Sequence, residues 1–241
     1  RAVIQHSLMN ASPSQRLWYF GPFFRYERPQ KGRLRQFHQF GAECLGSPNP
    51  ESDAEIILLA SDIIRSAGIG EIKLLINSLG NANVRAAYRD ELVKFLRSKQ
   101  NELTEESRNR MEINPLRALD SKAPQDIAAL EDAPVITDFL DNESRDHFDA
   151  VKGLVRNCGA EIVIQPRLVR GLDYYSHTVF EFQSSALGAQ DSLGGGGRYN
   201  TLFNQLGGKE TPAVGFALGV ERLLLILENL GKSFGKSVST D

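Results

Sequence analysis

Arginines set beside glycines, aromatic rings and a carboxylate are the residues of this 241-residue chain best suited to chemistry. Between Arg25 and Arg35, five cationic side chains (Arg25, Arg28, Lys31, Arg33 and Arg35) face one acid, Glu27. Four of the five are arginine, whose planar fork suits phosphate or carboxylate better than an ammonium does. A solvated basic turn would have the same composition. Arg170 adjoins Gly171 between two β-prone runs, Glu161 to Ile164 and Tyr174 to Phe182. A guanidinium at a strand end with open backbone beside it can meet a phosphate, or pair with Asp173 or Glu181. Arg222 follows Gly219 by three residues, near a glycine face, where Glu221 or Glu228 could also neutralise it.

The elements that must carry these residues follow from pattern. Arg16 to Arg25, with its aromatic residues, predicts a strand. Arg28 to Arg33, with Pro29 and Gly32, predicts a loop, and Arg35 to Leu45 a return strand, giving a long hairpin with a basic tip. Side chains alternate along a strand. Arg35, Phe37, Gln39, Gly41 and Glu43 therefore share one face, and His38, Phe40, Ala42 and Cys44 the other. The first set mixes cation, ring, amide and carboxylate around a glycine, which suits a site floor better than a core. By the same alternation Tyr174 and Tyr175 point to opposite faces, so only one is expected in a given pocket unless the strand twists. His177 reads as a packed or surface histidine, since nothing with metal-ligand spacing surrounds it. The run Gly194 to Gly197 before Arg198 and Tyr199 lacks both the phosphate-loop pattern and a parallel βαβ setting. It reads as a turn, or as a strand against which a ligand lies flat.

Elsewhere, Arg1 to Leu8 and Asp53 to Ala67 predict helices and Glu71 to Ile76 a strand. From Asn83 to Asp146 the text turns charged and helix-rich, with Leu92, Val93, Phe95 and Leu96 as one narrow apolar stripe. A helix from Arg145 to Asn157 leads back to strands at 161–169 and 174–182, and Ala213 to Asn229 closes the chain as a helix. Strands, then helices, then strands again predict an α+β fold: a mainly antiparallel sheet flanked by helices, with an inserted helical module. The divisions expected are 1–82 and 146–230 for the sheet-bearing core, 83–145 for the insertion and 231–241 for a linker.

Composition sets bounds. With 41% hydrophobic residues a core can form, and a chain of this size buries about 70–75% of its unfolded surface. The net charge of −2 and pI near 6.2 argue against a plain RNA-binding module, which needs a basic footprint. Two cysteines without metal-ligand spacing suggest buried thiols in a reducing, cytoplasmic setting. The longest apolar run, Leu223 to Leu227, is far short of a membrane span.

In order and separation these segments resemble the catalytic part of histidyl-tRNA synthetases, class II aminoacyl-tRNA synthetases, from near Arg1 to Leu230. Phe24 to Arg28 with the return strand to Glu43 is similar to motif 2, and Gly215 to Leu223 to motif 3. Leu168 to Tyr175 and Gly196 to Tyr199 resemble two histidine-specific signatures. Asn200 stands where many members have aspartate, a change expected to matter little.

The resemblance implies a homodimeric ATP-dependent ligase. It would activate histidine to histidyl-adenylate, with Mg²⁺ accompanying ATP, and pass it to histidine tRNA. By analogy Arg25 grips the α-phosphate and the substrate carboxylate. Glu27 and Phe37 hold adenine, while Arg33 and Arg222 hold the β/γ end or cap adenine. Arg170 supplies a fixed positive charge at the α-phosphate, where other class II enzymes place a metal. Glu43 and the Tyr175 hydroxyl read the imidazole, Tyr174 and Tyr199 line its pocket, and Gln39 holds the α-amino group. Gln30 and Arg35 approach the tRNA acceptor end, and the insertion clasps the acceptor stem. Motif 1, a substrate-binding segment ahead of Arg1 and an anticodon-binding domain would then belong to a longer protein. The alternative is a non-catalytic paralogue such as the regulatory subunit of ATP phosphoribosyltransferase. Such relatives usually lack the insertion and blur the ATP-contacting arginines, whereas Arg25, Arg33, Arg170 and Arg222 all stand here.

Overall fold

The computed structural model describes residues 1–26, 34–121, 123–169, 174–188 and 191–232. In chain order the elements are α1 (Ala2–Gln5), β1 (Gln15–Phe24), β2 (Gln36–Leu45), α2 (Pro50–Ser66), β3 (Lys73–Ser78), α3 (Ala82–Ser98), α4 (Glu105–Ile113), α5 (Pro124–Ala129), α6 (Asn142–Asn157), β4 (Ile162–Ile164), β5 (Ser176–Gln183), β6 (Ser192–Arg198), α7 (Leu202–Gln205), β7 (Ala213–Gly219) and α8 (Val220–Asn229). Short 3₁₀ turns join several of them.

The strands form one seven-stranded sheet in the order β1-β2-β7-β6-β5-β3-β4. Every pairing is antiparallel except β3 with β4, which is parallel. The mainly antiparallel α+β reading therefore holds. Helix α2 starts on Pro50, carries Glu51 and Asp53 in its first turn, and lays Ile56, Ile57, Ala60 and Ile64 on the core. Acids near a helix N-terminus oppose its dipole favourably, and proline costs nothing at the first helical position.

Between β3 and β4 the described residues hold helices and turns and no strand. Asn81, Thr104 and Asp141 cap α3, α4 and α6 by accepting from backbone N–H groups of the first turn. Along α3 the buried stripe is Val84, Tyr88, Leu92 and Leu96, spaced by four, with Val93 and Phe95 only partly covered. Helix α6 packs on α2 and buries Phe148, Val151 and Val155.

Three local expectations are corrected. Residues 213–229 are strand β7 followed by α8, not one helix. The Ala-Val-Gly-Phe-Ala-Leu-Gly text reads as helical alone, but ladders on both sides bury its backbone in the sheet centre. The strand expected over 161–169 stops at Ile164, because Pro166 removes a ladder donor. Cys44 is buried, but Cys158 is exposed at the C-terminal end of α6. Among the described residues no helix is long and apolar enough to cross a membrane.

Candidate active site

A cleft of about 550 Å³ opens on the sheet where β2, β7 and β6 lie side by side. The predicted face of β2 supplies its floor: Phe37, Gln39 and Glu43 all line it. Two glycines make the room. Gly41 lies opposite Tyr19 on β1, and a Cβ there would stand 2.3 Å from the Tyr19 ring. Gly215 on β7 lies opposite Glu43, and a Cβ there would stand 1.6 Å from a carboxylate oxygen. Tyr19 thus belongs to the cleft, although the sequence reading passed over it as one aromatic among many. The signal was available, since a glycine on a site floor makes space for its cross-strand neighbour.

At one end the cleft is phenolic and acidic. Tyr199 Oη donates to Glu43 Oε2. The Tyr174 ring lies 4.8 Å from that of Tyr175 and 5.7 Å from that of Tyr199. Tyr174 and Tyr175 both line the cleft, contrary to the opposite-face expectation. They precede β5 instead of lying on it, so strand alternation does not separate them. Desolvation pushes the Glu43 carboxyl up to about 7, against the lowering effect of the Tyr199 hydroxyl. Burial, and then the nearby Glu43, push Tyr19 up to about 12 and Tyr199 well above the ordinary phenol value. The phenols stay protonated donors, and Glu43 is poised to ionise near neutrality.

At the other end the cleft is cationic. Arg25 Nε donates to the Leu34 carbonyl at 2.7 Å, and its guanidinium sits 4.3 Å over the Phe37 ring. It thereby covers the ring face that the resemblance assigns to adenine. Arg222 lines the cleft and donates to the Ser192 carbonyl at the start of β6. Glu221 does not pair with it here; its carboxylate accepts from the His38 backbone N–H at 2.8 Å and lies 2.9 Å from His38 Nδ1. Burial pushes Glu221 up, but the His38 contacts outweigh this and hold it below the ordinary carboxylate range. Glu221 also lines the cleft and ties α8 to β2, a role the sequence did not reveal.

Of the residues singled out from sequence, Arg25, Phe37, Gln39, Glu43, Tyr174, Tyr175, Tyr199 and Arg222 converge on this cleft. Arg35 is not among its lining and stands with its guanidinium 5.9 Å from the exposed Tyr26 ring. Glu27, Gln30, Arg33 and Arg170 lie outside the described residues. Among the described residues no group of three His, Cys, Asp or Glu side chains gathers as metal ligands. Asn200 Oδ1 accepts from Arg198 Nη1 and from the Ala213 N–H, each at 3.3 Å. An aspartate oxygen could take both bonds.

A mainly antiparallel sheet that carries an arginine-bearing hairpin beside a strand-to-helix arginine defines the catalytic architecture of class II aminoacyl-tRNA synthetases. The family model for histidyl-tRNA synthetase matches residues 2–223, and the chain belongs to that family. It is 52% identical over 232 residues to the histidine–tRNA ligase of Halorhodospira halophila, covering 96% of this chain and 54% of that one. It superposes on the apo histidyl-tRNA synthetase of S. aureus with a TM-score of 0.75 at 38% identity, over 97% of this chain and 56% of that one. A protein from Bacillus halodurans titled ATP phosphoribosyltransferase regulatory subunit/histidyl-tRNA synthetase shares the fold, with a TM-score of 0.64 at 22% identity over 95% and 62%. The chain spans about half the length of the curated relatives it matches.

Proposed function

We propose that this chain is the catalytic core of a histidine–tRNA ligase. The enzyme activates histidine with MgATP and transfers it to the 3′ end of histidine tRNA. One observation carries the reading. Two stretches of chain separated by α3–α6 bring Glu43, Tyr174, Tyr175 and Tyr199 into one cleft with Arg25, Phe37 and Arg222.

In the first step a histidine carboxylate oxygen bonds to the α-phosphorus as the bond to the bridging oxygen breaks and pyrophosphate leaves. Such transfer depends on positioning and charge neutralisation more than on covalent chemistry by the protein. Arg25 bridges the histidine carboxylate and the α-phosphate. Arg170 adds a fixed cation at the developing charge. Phe37, Arg222, Glu27 and Arg33 hold the nucleotide. To stack adenine on Phe37, the Arg25 guanidinium must leave that ring, so nucleotide binding and Arg25 positioning are one event. Magnesium enters with the nucleotide phosphates.

A neutral imidazole offers one N–H donor and one acceptor. Ionised Glu43 accepts the N–H, a phenol of Tyr175 answers the ring nitrogen, Tyr174 and Tyr199 enclose the ring, and Gln39 takes the α-amino group. A site built for such polar pairing rejects apolar analogues by roughly 10⁴ in favourable cases. Arg35, outside the cleft lining, and Gln30 approach the acceptor end of the tRNA, and the 83–145 module clasps its stem. Trp18, Phe20 and Phe24 lie exposed on edge strand β1, an apolar face suited to a partner subunit in a homodimer.

Full-length protein should exchange pyrophosphate with ATP only when histidine is supplied. Exchange with another amino acid and none with histidine would overturn the reading.

A further inference from the structure

Behind the tyrosines lies a fully buried arginine that the proposed reaction does not use. Arg198, the last residue of β6, is 0% exposed. All five of its N–H donors find acceptors. Nε donates to Asp53 Oδ2 at 3.0 Å, and Nη2 donates to the same carboxylate and to the Asn49 carbonyl at 3.1 Å. Nη1 donates to the Ser47 carbonyl at 2.9 Å and to Asn200 Oδ1 at 3.3 Å. His147, from α6, brings Nε2 to 3.3 Å from Asp53 Oδ2. Burial alone would raise the Asp53 carboxyl, but His147 and Arg198 hold it below the ordinary range.

A buried ion pair is weak evidence for stability, because desolvating both charges offsets their attraction. Here it has a geometric result. Tyr199, the next residue, keeps the ladder going through its N–H to the Ala213 carbonyl at 2.7 Å. Its side chain is therefore directed away from Arg198, into the cleft. Glu43, its hydrogen-bond partner, lies on the strand that runs on to Ser47, whose carbonyl Arg198 also holds. One guanidinium thus fixes the backbone on both sides of the Tyr199–Glu43 hydrogen bond.

We propose that Arg198, seated by Asp53, is a positioning residue for imidazole recognition: its fork sets Tyr199 against Glu43 and so sets histidine affinity. The proposal rests on the histidine reading of the cleft.

The test is ATP–pyrophosphate exchange by the full-length protein and three variants. Arg198→Lys keeps the buried charge pair but lacks the fork. The double variant Asp53→Leu/Arg198→Met removes both charges and leaves neither orphaned. Tyr199→Phe removes the hydroxyl itself. Arg198→Lys should raise the histidine KM by about tenfold and the ATP KM by less than about twofold, the signature of a contact serving one substrate. In the Tyr199→Phe background the same substitution should add less than about twofold, because the two act through one contact. The double variant should show the same split if it folds as judged by circular dichroism. The proposal is overturned if folded Arg198→Lys keeps the parental histidine KM, if both KM values rise together, or if its effect is undiminished beside Tyr199→Phe. Loss of histidine-dependent exchange in the parent itself would instead refute the underlying reading of the cleft.

Discussion

Two enclosed carboxylates, one in the cleft and one in the helical region between β3 and β4, have opposite surroundings. Asp126, in α5, is 0% exposed. It accepts from the Thr104 N–H at 2.7 Å, the Thr104 hydroxyl at 2.8 Å, and the Ser107 and Ser121 hydroxyls at 2.6 Å each. Burial pushes it up, but these bonds win and bring it to about 2. Among the described residues Glu43 has one side-chain donor, Tyr199, and there burial wins, bringing it to about 7. A carboxylate whose lone pairs are filled by its own chain is scaffold. One that is desolvated and underfilled has capacity left for a ligand.

Breaking the scaffold member should have the largest effect on stability. Asp126→Ala leaves a backbone N–H and three hydroxyls without their shared acceptor, at a cost of about 2–3 kcal/mol. Hydrogen exchange should accelerate across 104–126, while the histidine KM of folded protein stays near parental. A parental exchange pattern would refute the hub role.

The pH response sharpens the contrast. Asp126 has a lowered folded pKa, so its stabilising contribution is present above its ordinary value of 3.8 and is lost as pH falls toward about 2. Glu43 has a raised one, so its favourable contribution is present below 4.5 and is lost as pH rises through about 7. Melting of the parent and of Glu43→Gln from pH 5 to 8 should therefore diverge in the variant's favour as pH rises. Parallel curves would mean that Glu43 is not strained by burial.

The smallest effect is expected at Asn200. Asn200→Asp retains the oxygen that Arg198 and the Ala213 N–H use, so the histidine KM should change by less than about twofold. A large change would mean that the amide NH₂ or the missing charge matters.

Much of this was legible in the sequence where local pattern and environment agree. The β1–β2 hairpin and the floor face of β2 followed from alternation, and the helical stretch from the absence of β-prone text. Residues 213–219 were not legible, because small and apolar residues without a breaker fit a helix as well as a central strand and only the ladders from β2 and β6 decide. The pairing of Tyr174 with Tyr175 depended on where β5 starts. The cleft role of Tyr19 was not legible, and Glu221 read only as a counter-ion for Arg222, because their partners, Gly41 and His38, become neighbours only across strands or between distant elements. Arg198 looked like an appendage of a glycine run, since its partner Asp53 lies 145 positions away.

The central claim is that Glu43 is held underfilled in order to accept the imidazole N–H. It is tested most directly by calorimetric titration of histidine into full-length protein and its Glu43→Gln variant at pH 6 and pH 8. The account predicts that the parent binds more tightly at pH 8 than at pH 6, and that at pH 6 its binding releases a proton fraction beyond that of free imidazole because Glu43 must ionise. The variant should lose both this pH gain and this extra release, and at least about tenfold in affinity. Equal affinity and equal proton release in the two proteins would contradict it.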